Sequence, residues 1–262
     1  MAEPAPMSAP TPERPFDDPT WLAEHLREER READLLSEIR EALFGAQDGL
    51  VSVLAVVSTV GGATNERFPI LVAGIAAALG GVFSMAASEY LSSKSQREVY
   101  EAQIDKEREE VEGRPGESQA EVAYMLEREG MSGEGARRTA AELARVPNVL
   151  LRTMVEKELG ISLEQGRGAF QGALVMGATF GLGSVIPILP YVILPVGVAI
   201  WVSVALSAGV LFAMGVVKSR WTRRSPIRSG LEVLALATFA GVAGYVFGSV
   251  LPGLLGVQAP PG

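Results

Sequence analysis

The sequence has no cysteine and only one histidine among its 262 residues. Without cysteine the chain can form no disulfide, thiolate metal site, iron–sulfur cluster or cysteine nucleophile. A single histidine, His25, excludes a two-histidine zinc site and bis-histidine haem within one chain. We therefore expect no prosthetic group, and any metal site must use oxygen and thioether ligands.

Acidic residues are almost missing from most of the chain. Of the 31 Asp and Glu residues, eleven lie in residues 1–41 and sixteen in residues 94–164. Only Asp48, Glu66, Glu89 and Glu232 lie elsewhere, although 48% of all residues are hydrophobic and the mean hydropathy is +0.22. This segregation indicates an all-α membrane protein with polar appendages and argues against a single soluble core.

The net charge of −8 argues against nucleic acid as a partner, because phosphate binding needs clustered Lys and Arg. The sequence also lacks a metalloprotease His-Glu pair, paired aspartates across spans and a Gly-x-Ser-x-Gly motif. We therefore expect that the protein is not an enzyme.

Five apolar segments are each close to or above the ~20 residues that cross a bilayer as a helix. They are Leu43–Ala63, Pro69–Leu91, Gly168–Leu189, Val192–Val217 and Leu231–Leu251. The predicted parts are a disordered Pro-rich tail (1–20), an amphipathic cytosolic helix (21–41), transmembrane helices 1–2 (42–92), a cytosolic helical insert (93–167), transmembrane helices 3–5 (168–252) and a short external tail (253–262).

Prolines and basic residues refine this plan. Pro187, Pro190 and Pro195 lie between the third and fourth spans, and we expect the chain to turn there. Arg and Lys are concentrated before the first span and after the fourth, whereas the loop between the first two spans has only Arg67. By the positive-inside rule the N-terminus and the insert face the cytosol, and the C-terminus lies outside. The composition suggests a bacterial plasma membrane.

Two groups of residues within the spans are candidates for a transport path. Asp48 follows Leu43 and Phe44, so its carboxylate falls inside the first span. A carboxylate in a membrane span usually has a function, because it is costly there. The alternative is that Asp48 caps the helix or lies in the interfacial layer. Met85 and Glu89 are four residues apart and share one helix face. A thioether with a carboxylate suits Fe²⁺ or Mn²⁺, although methionine in an apolar helix is usually packing. Small residues around them favour a tightly packed or dimeric interface.

The insert is rich in acids, with eleven acidic against four basic residues between Glu98 and Glu129. We predict one helix over Ser95–Glu112 and a second over Glu117–Glu129, separated by a turn, and two more before the third span. Glutamates one turn apart on the first two helices could form a metal cage, and the alternative is a solvated charged face.

The chain resembles the vacuolar iron transporter family over nearly all of residues 35–251. The resemblance rests on FGAQDGLVS, SMAASEYLSSKSQ, the Glu-rich KEREEVEGRPGESQAEV, MVEKELGI and IPILPY, in this order and spacing. It implies a homodimeric carrier that moves Fe²⁺, often also Mn²⁺, out of the cytosol in exchange for protons. Such a carrier has five spans and a cytosolic insert that collects metal.

The resemblance also implies roles for individual residues. Asp48 and Met85 correspond to the family's transport path, and Glu89 offers a further carboxylate beside them. The metal ligands of the insert correspond to Glu107, Glu110, Glu121, Met154 and Glu158, with Glu117 beside them as a substitute.

Three positions depart from the family pattern. Val155 replaces a second methionine, Ser118 replaces a glutamate, and Ala77 replaces a glutamate of the plant members. These differences concern metal stoichiometry and selectivity more than function. The rival hypothesis is a membrane-anchored scaffold whose acidic insert binds metal or a protein partner without transport, and this scaffold would not need Asp48.

Overall fold

The computed structural model describes residues 18–160, 168–222 and 225–254, and all regular elements in these ranges are α-helices. The helices are α1 (Pro19–Ala63), α2 (Arg67–Gly113), α3 (Pro115–Arg128), α4 (Gly133–Ala144), α5 (Pro147–Glu158), α6 (Ala169–Ile193), α7 (Val196–Thr222) and α8 (Pro226–Leu254). The predicted disordered tail lies almost wholly outside the described residues, as does most of the external tail.

Four of the described helices, α1, α2, α6 and α7, are long and apolar enough to cross a membrane. Among the described residues of α8, the apolar stretch is shorter and covers Gly241–Val250. The all-helical membrane architecture predicted from the charge segregation is confirmed, with four candidate spans.

The first two helices are longer than the sequence predicts. The amphipathic segment before the first span does not form a separate helix, because it continues without a break into α1. The second span likewise continues into the first insert helix as one helix of 47 residues, α2. Neither junction contains Gly or Pro at the point where the polarity changes. The backbone therefore stays helical there, although the side chains change from polar to apolar or the reverse.

The turn between the third and fourth spans comes after the first two of the three prolines that predict it. Pro187 and Pro190 are inside α6, which ends at Ile193, and the chain turns at Leu194 and Pro195 before α7. A helix tolerates internal proline when neighbouring groups satisfy the freed backbone. Next to these prolines, Ser203 of α7 donates a hydrogen bond to the carbonyl of Pro187 at 2.7 Å, which ties this part of α6 to α7.

Short breaks in the insert set where its helices begin and end. Pro115 and Pro147 stand at the first turns of α3 and α5, where a missing amide proton costs nothing. Ser132 caps α4 by accepting from the amide of Gly135 at 3.2 Å. Gly130 follows α3 with φ of 107°, a conformation that favours glycine. The helix predicted around residues 134–144 is thus present as α4.

In the membrane part, α6 packs against both α1 and α2, while α7 and α8 cover the remaining sides of α1. In the insert, α3, α4 and α5 pack against one another, and α3 and α5 also pack against the end of α2. The insert core consists of Val111, Val122, Ala123, Ala140, Leu150, Leu151, Met154 and Val155. Helix α2 is therefore shared by the membrane bundle and the insert.

Candidate metal-binding sites

Asp48 lies in the membrane part of α1 and is partly buried. Its carboxylate accepts a hydrogen bond from Ser52 Oγ, one turn further along, at 3.2 Å. Within the described ranges no Lys or Arg forms an ion pair with it. A charged group in an apolar helix without a basic partner is costly unless it meets water, a cation or a proton.

Met85 lies on α2, also partly buried, on the side that faces α6. Phe180 of α6 packs against both α1 and α2 close to the two predicted path residues. A Cβ placed on Gly49 would collide with the backbone of Phe180, and one placed on Gly81 would collide with its ring. Since Gly49 follows Asp48 and Gly81 lies one turn before Met85, the two predicted path residues flank the same part of α6.

Glu89 stands one turn beyond Met85 and accepts a hydrogen bond from Ser93 Oγ at 2.7 Å. Its Oε1 lies 3.3 Å from the point that a Cβ on Gly172 of α6 would occupy, and Glu41 Oε2 of α1 lies 3.7 Å from the same point. Two carboxylates from different helices thus approach each other over the bare backbone of Gly172. The repulsion between two such carboxylates is relieved when a cation binds between them or when one of them is protonated.

The sequence reasoning missed Glu41, which it counted as part of the amphipathic segment. A signal was present, because Glu41 and Asp48 are seven residues apart, and a spacing of seven places them on one face of a helix. That signal is weak without knowledge that α1 is continuous between the two residues.

Glu107 is the most buried carboxylate of the insert. It is 1% exposed, and its Oε2 has no hydrogen-bond partner. Burial raises the pKa of Glu107 above its usual value, and the negative charges of Glu158 and Glu110 raise it further, while Lys106 acts in the opposite direction. A buried carboxylate oxygen without a partner fits a site that a cation completes.

Glu121 of α3 faces the same charges. Burial raises its pKa first, and the charges of Glu158, Glu117 and Glu110 raise it further, while Arg114 lowers it. The insert therefore brings together the five predicted glutamates from α2, α3 and α5. Glu110 and Glu117 also have a partial counter-charge, since Arg114 lies 3.7 Å from Glu110 and 2.9 Å from Glu117.

These carboxylates approach one another without forming a closed cage. In the part of the chain that the structure describes, no three Asp, Glu or His side chains lie close enough together to hold a metal ion as a group. The predicted thioether ligand Met154 is 0% exposed and packs in the insert core, while Glu158 is exposed at the end of α5. Met154 is thus a residue of the insert core, whereas Glu110 belongs to the acidic cluster.

Two departures from the family pattern are also buried. Val155 is 0% exposed in the insert core, and Ser118 is 1% exposed. The Ser118 hydroxyl donates to the carbonyl of Arg114 at 3.5 Å. Each side chain fits its surroundings without a metal ion.

Comparison with known proteins gives one consistent result. The sequence profile of the VIT family matches residues 39–249. The chain is 30% identical over 214 residues to vacuolar iron transporter 1 of Arabidopsis thaliana, covering 81% of this chain and 86% of the plant protein. It is 28% identical over 230 residues to vacuolar iron transporter 1 of Tulipa gesneriana, covering 87% and 93%. It is 27% identical over 223 residues to a vacuolar iron transporter of Plasmodium falciparum, covering 81% and 82%.

Proposed function

The chain belongs to the VIT family, and on that premise we propose that it carries Fe²⁺, with Mn²⁺ as a second substrate, out of the cytosol in exchange for protons. The relatives are named as iron transporters, so the chain is a metal transporter in a membrane and not an enzyme. The choice of ion, the exchange for protons and the direction are the proposal.

The observation that carries this proposal is the position of Asp48 inside an apolar helix. It is a partly buried carboxylate in an apolar helix, and no basic residue in the described ranges pairs with it. Met85 flanks the same segment of α6 from the other side. One hard and one soft ligand on neighbouring helices suit a borderline divalent ion such as Fe²⁺ or Mn²⁺.

The insert would collect the metal before transport. Glu107, Glu110, Glu117, Glu121 and Glu158 form a concentrated negative charge, and such a charge raises the local concentration of cations. The unpartnered Oε2 of Glu107 supports a role in binding rather than a merely solvated face. Glu158 and Met154 of α5 would supply further ligands.

Helix α2 connects the two sites. It carries Met85 and Glu89 in the membrane part and Glu107 and Glu110 in the insert. The 18 residues from Glu89 to Glu107 correspond to about 27 Å of helix. An ion released from the insert would reach Glu41 and Glu89 first and then Asp48 and Met85. Protonation of a carboxylate from the far side would release the ion there.

We also propose five spans, with α8 as the fifth, and a homodimer in a bacterial plasma membrane. The dimer is supported by an unpacked stripe of small residues on α2, since Ala76, Gly80 and Ala87 are exposed. By contrast, Gly74 and Gly81 of the same helix pack against residues of their own chain. The free part of the stripe allows close approach of a second copy.

The decisive experiment is Fe²⁺ uptake into proteoliposomes of the full chain, under reducing conditions and with an imposed pH gradient. We expect gradient-dependent uptake that falls to the protein-free leak in Asp48→Asn. Glu232→Gln is the matched control, because Glu232 is an exposed carboxylate on α8 away from the proposed path, and it should transport as wild type.

Two results would contradict the proposal. Unchanged uptake and proton coupling in Asp48→Asn would remove Asp48 from the path. No flux of either Fe²⁺ or Mn²⁺ in protein shown to be folded would favour the scaffold hypothesis, in which the insert binds metal or a partner without transport.

A further inference from the structure

A groove of about 440 Å³ lies between α1 and α7, at the end of the bundle from which the insert projects. Its inner wall is apolar and consists of Leu36, Ile39, Leu43 and Phe44, all on α1. Phe44 is 58% exposed and Leu36 is 42% exposed. The groove is therefore an apolar surface that the described chain leaves open.

The rim of the groove is basic. Arg40 of α1 and Lys218 of α7 line it from opposite sides, and no acidic side chain is among its lining residues. Both cations are exposed, and neither forms an ion pair with any residue in ranges 18–160, 168–222 and 225–254. Two unpaired cations on different helices beside an apolar wall favour an anion that carries an apolar part.

The depth of the groove matches the boundary of the membrane. The apolar run of α7 ends at Val217, and Lys218 follows it directly. Trp221, 46% exposed, also lines the groove, and Trp and Lys are typical of the headgroup level. Leu43 and Phe44 belong to the start of the first span, so the groove runs from headgroup level into the hydrocarbon.

A second groove on the same bundle differs in its chemistry. It lies between α2 and α6 and is lined by apolar residues alone, among them Ile75, Leu79 and Val185. Such a surface accommodates any lipid chain. Unlike this second groove, the α1–α7 groove adds positive charge at headgroup level.

We propose that the α1–α7 groove binds one anionic phospholipid of the leaflet on the insert side. Its phosphate lies between Arg40 and Lys218, and an acyl chain extends from there into the membrane along Leu43 and Phe44. The apolar wall favours a lipid over a free phosphate ion, and the two cations favour an anionic over a zwitterionic headgroup. The bound lipid holds α1 against α7. This site is independent of the proposed transport.

The test uses the full chain purified in detergent, with phosphatidylglycerol or phosphatidylcholine of identical acyl chains added. Bound lipid is counted by native mass spectrometry, and the thermal unfolding midpoint is measured in parallel. We expect phosphatidylglycerol to bind more tightly and to raise the midpoint. Each basic side chain near a membrane contributes a factor of about five, so Arg40→Gln with Lys218→Gln should weaken phosphatidylglycerol binding about 30-fold.

Matched variants separate this site from general surface charge. Arg228→Gln removes an exposed basic residue near the start of α8, outside the groove, and should bind as wild type. Arg40→Lys with Lys218→Arg keeps both charges and should bind nearly as wild type. If the double Gln variant does not fold, each single variant should still show a loss of about fivefold.

The proposal would be overturned by equal binding of the two lipids, by wild-type binding of the folded double or single Gln variants, or by an equal loss in Arg228→Gln. Displacement of the lipid by inorganic phosphate at the same concentration would also overturn it, since it would identify a simple anion site.

Discussion

Gly49 of α1 lies directly against the backbone carbonyl of Phe180 on α6, with no room for a Cβ between them. The contact is repeated one helical turn away, where a Cβ on Gly183 of α6 would collide with the carbonyl of Ala46. Small residues permit this close approach of two helices in a membrane. Because Gly49 follows Asp48, the contact also fixes the position of the proposed transport carboxylate.

Gly49→Ala is therefore expected to separate α1 from α6 and to lower stability by about 1–3 kcal/mol, as overpacked contacts do. Metal transport should fall with it, because Asp48 moves. Gly209→Ala on α7 is the control, since no described atom lies within 4 Å of a Cβ placed there. Thermal unfolding and uptake measured side by side check this, and equal behaviour of the two variants would contradict it.

The pKa values of Glu107 and Glu121 predict the pH dependence of the metal-free protein. Burial and neighbouring carboxylates raise both pKa values above 4.5, the usual value, so the folded protein binds these protons more tightly than the unfolded chain. Their contribution to stability is complete below about pH 4.5 and is lost as the pH rises through the folded-state pKa.

Glu107→Gln removes one of these titrations. As the pH rises above 4.5, the unfolding midpoint of wild type should fall relative to that of Glu107→Gln, and added Mn²⁺ should stabilise wild type more than the variant. Glu142→Gln is the control, because Glu142 is exposed on α4 and pairs with Arg145 at 3.1 Å. A difference between wild type and Glu107→Gln that does not change with pH would be evidence against the prediction.

Met154→Leu tests whether the buried thioether binds metal or only fills the core. Leucine preserves the volume, so the cost in stability should stay below about 1.5 kcal/mol. If the sulfur is a ligand, Fe²⁺ binding to the full chain under anaerobic conditions should weaken about tenfold or more. Met125→Leu, a partly buried methionine against the same core, should leave binding unchanged. Equal calorimetric affinities for wild type and both variants would make Met154 a packing residue.

The absence of cysteine makes the proposed dimer directly testable. Gly80→Cys introduces the only cysteine of the chain, at the exposed stripe of α2, and mild oxidation should give a disulfide-linked dimer. Leu206→Cys, 41% exposed on α7, is the control and should remain monomeric on a denaturing gel. Cross-linking at Leu206 but not at Gly80 would place the interface elsewhere.

Local patterns in the sequence were enough to predict most helices and the membrane class. The segregation of acids and apolar residues, together with Pro115 and Pro147 at helix starts, depends only on neighbours along the chain. The same local reasoning ended the amphipathic segment at Glu41 and placed the turn in the stretch with Pro187, Pro190 and Pro195, because polarity and proline usually mark boundaries. In the structure α1 continues past Glu41, and α6 includes the first two of these prolines.

The site was predicted as a set of residue types, and its arrangement was not. The sequence alone determined that a carboxylate, Asp48, falls within an apolar span and that glutamates are concentrated in one insert. Only the tertiary structure decided that Glu158 lies near Glu107, that Met154 is buried in the insert core, and that Glu41 meets Glu89 over Gly172. Each of these relationships joins two different helices. The side chains packed between two helices set which of their faces meet, and the residue spacing along one helix does not reveal this.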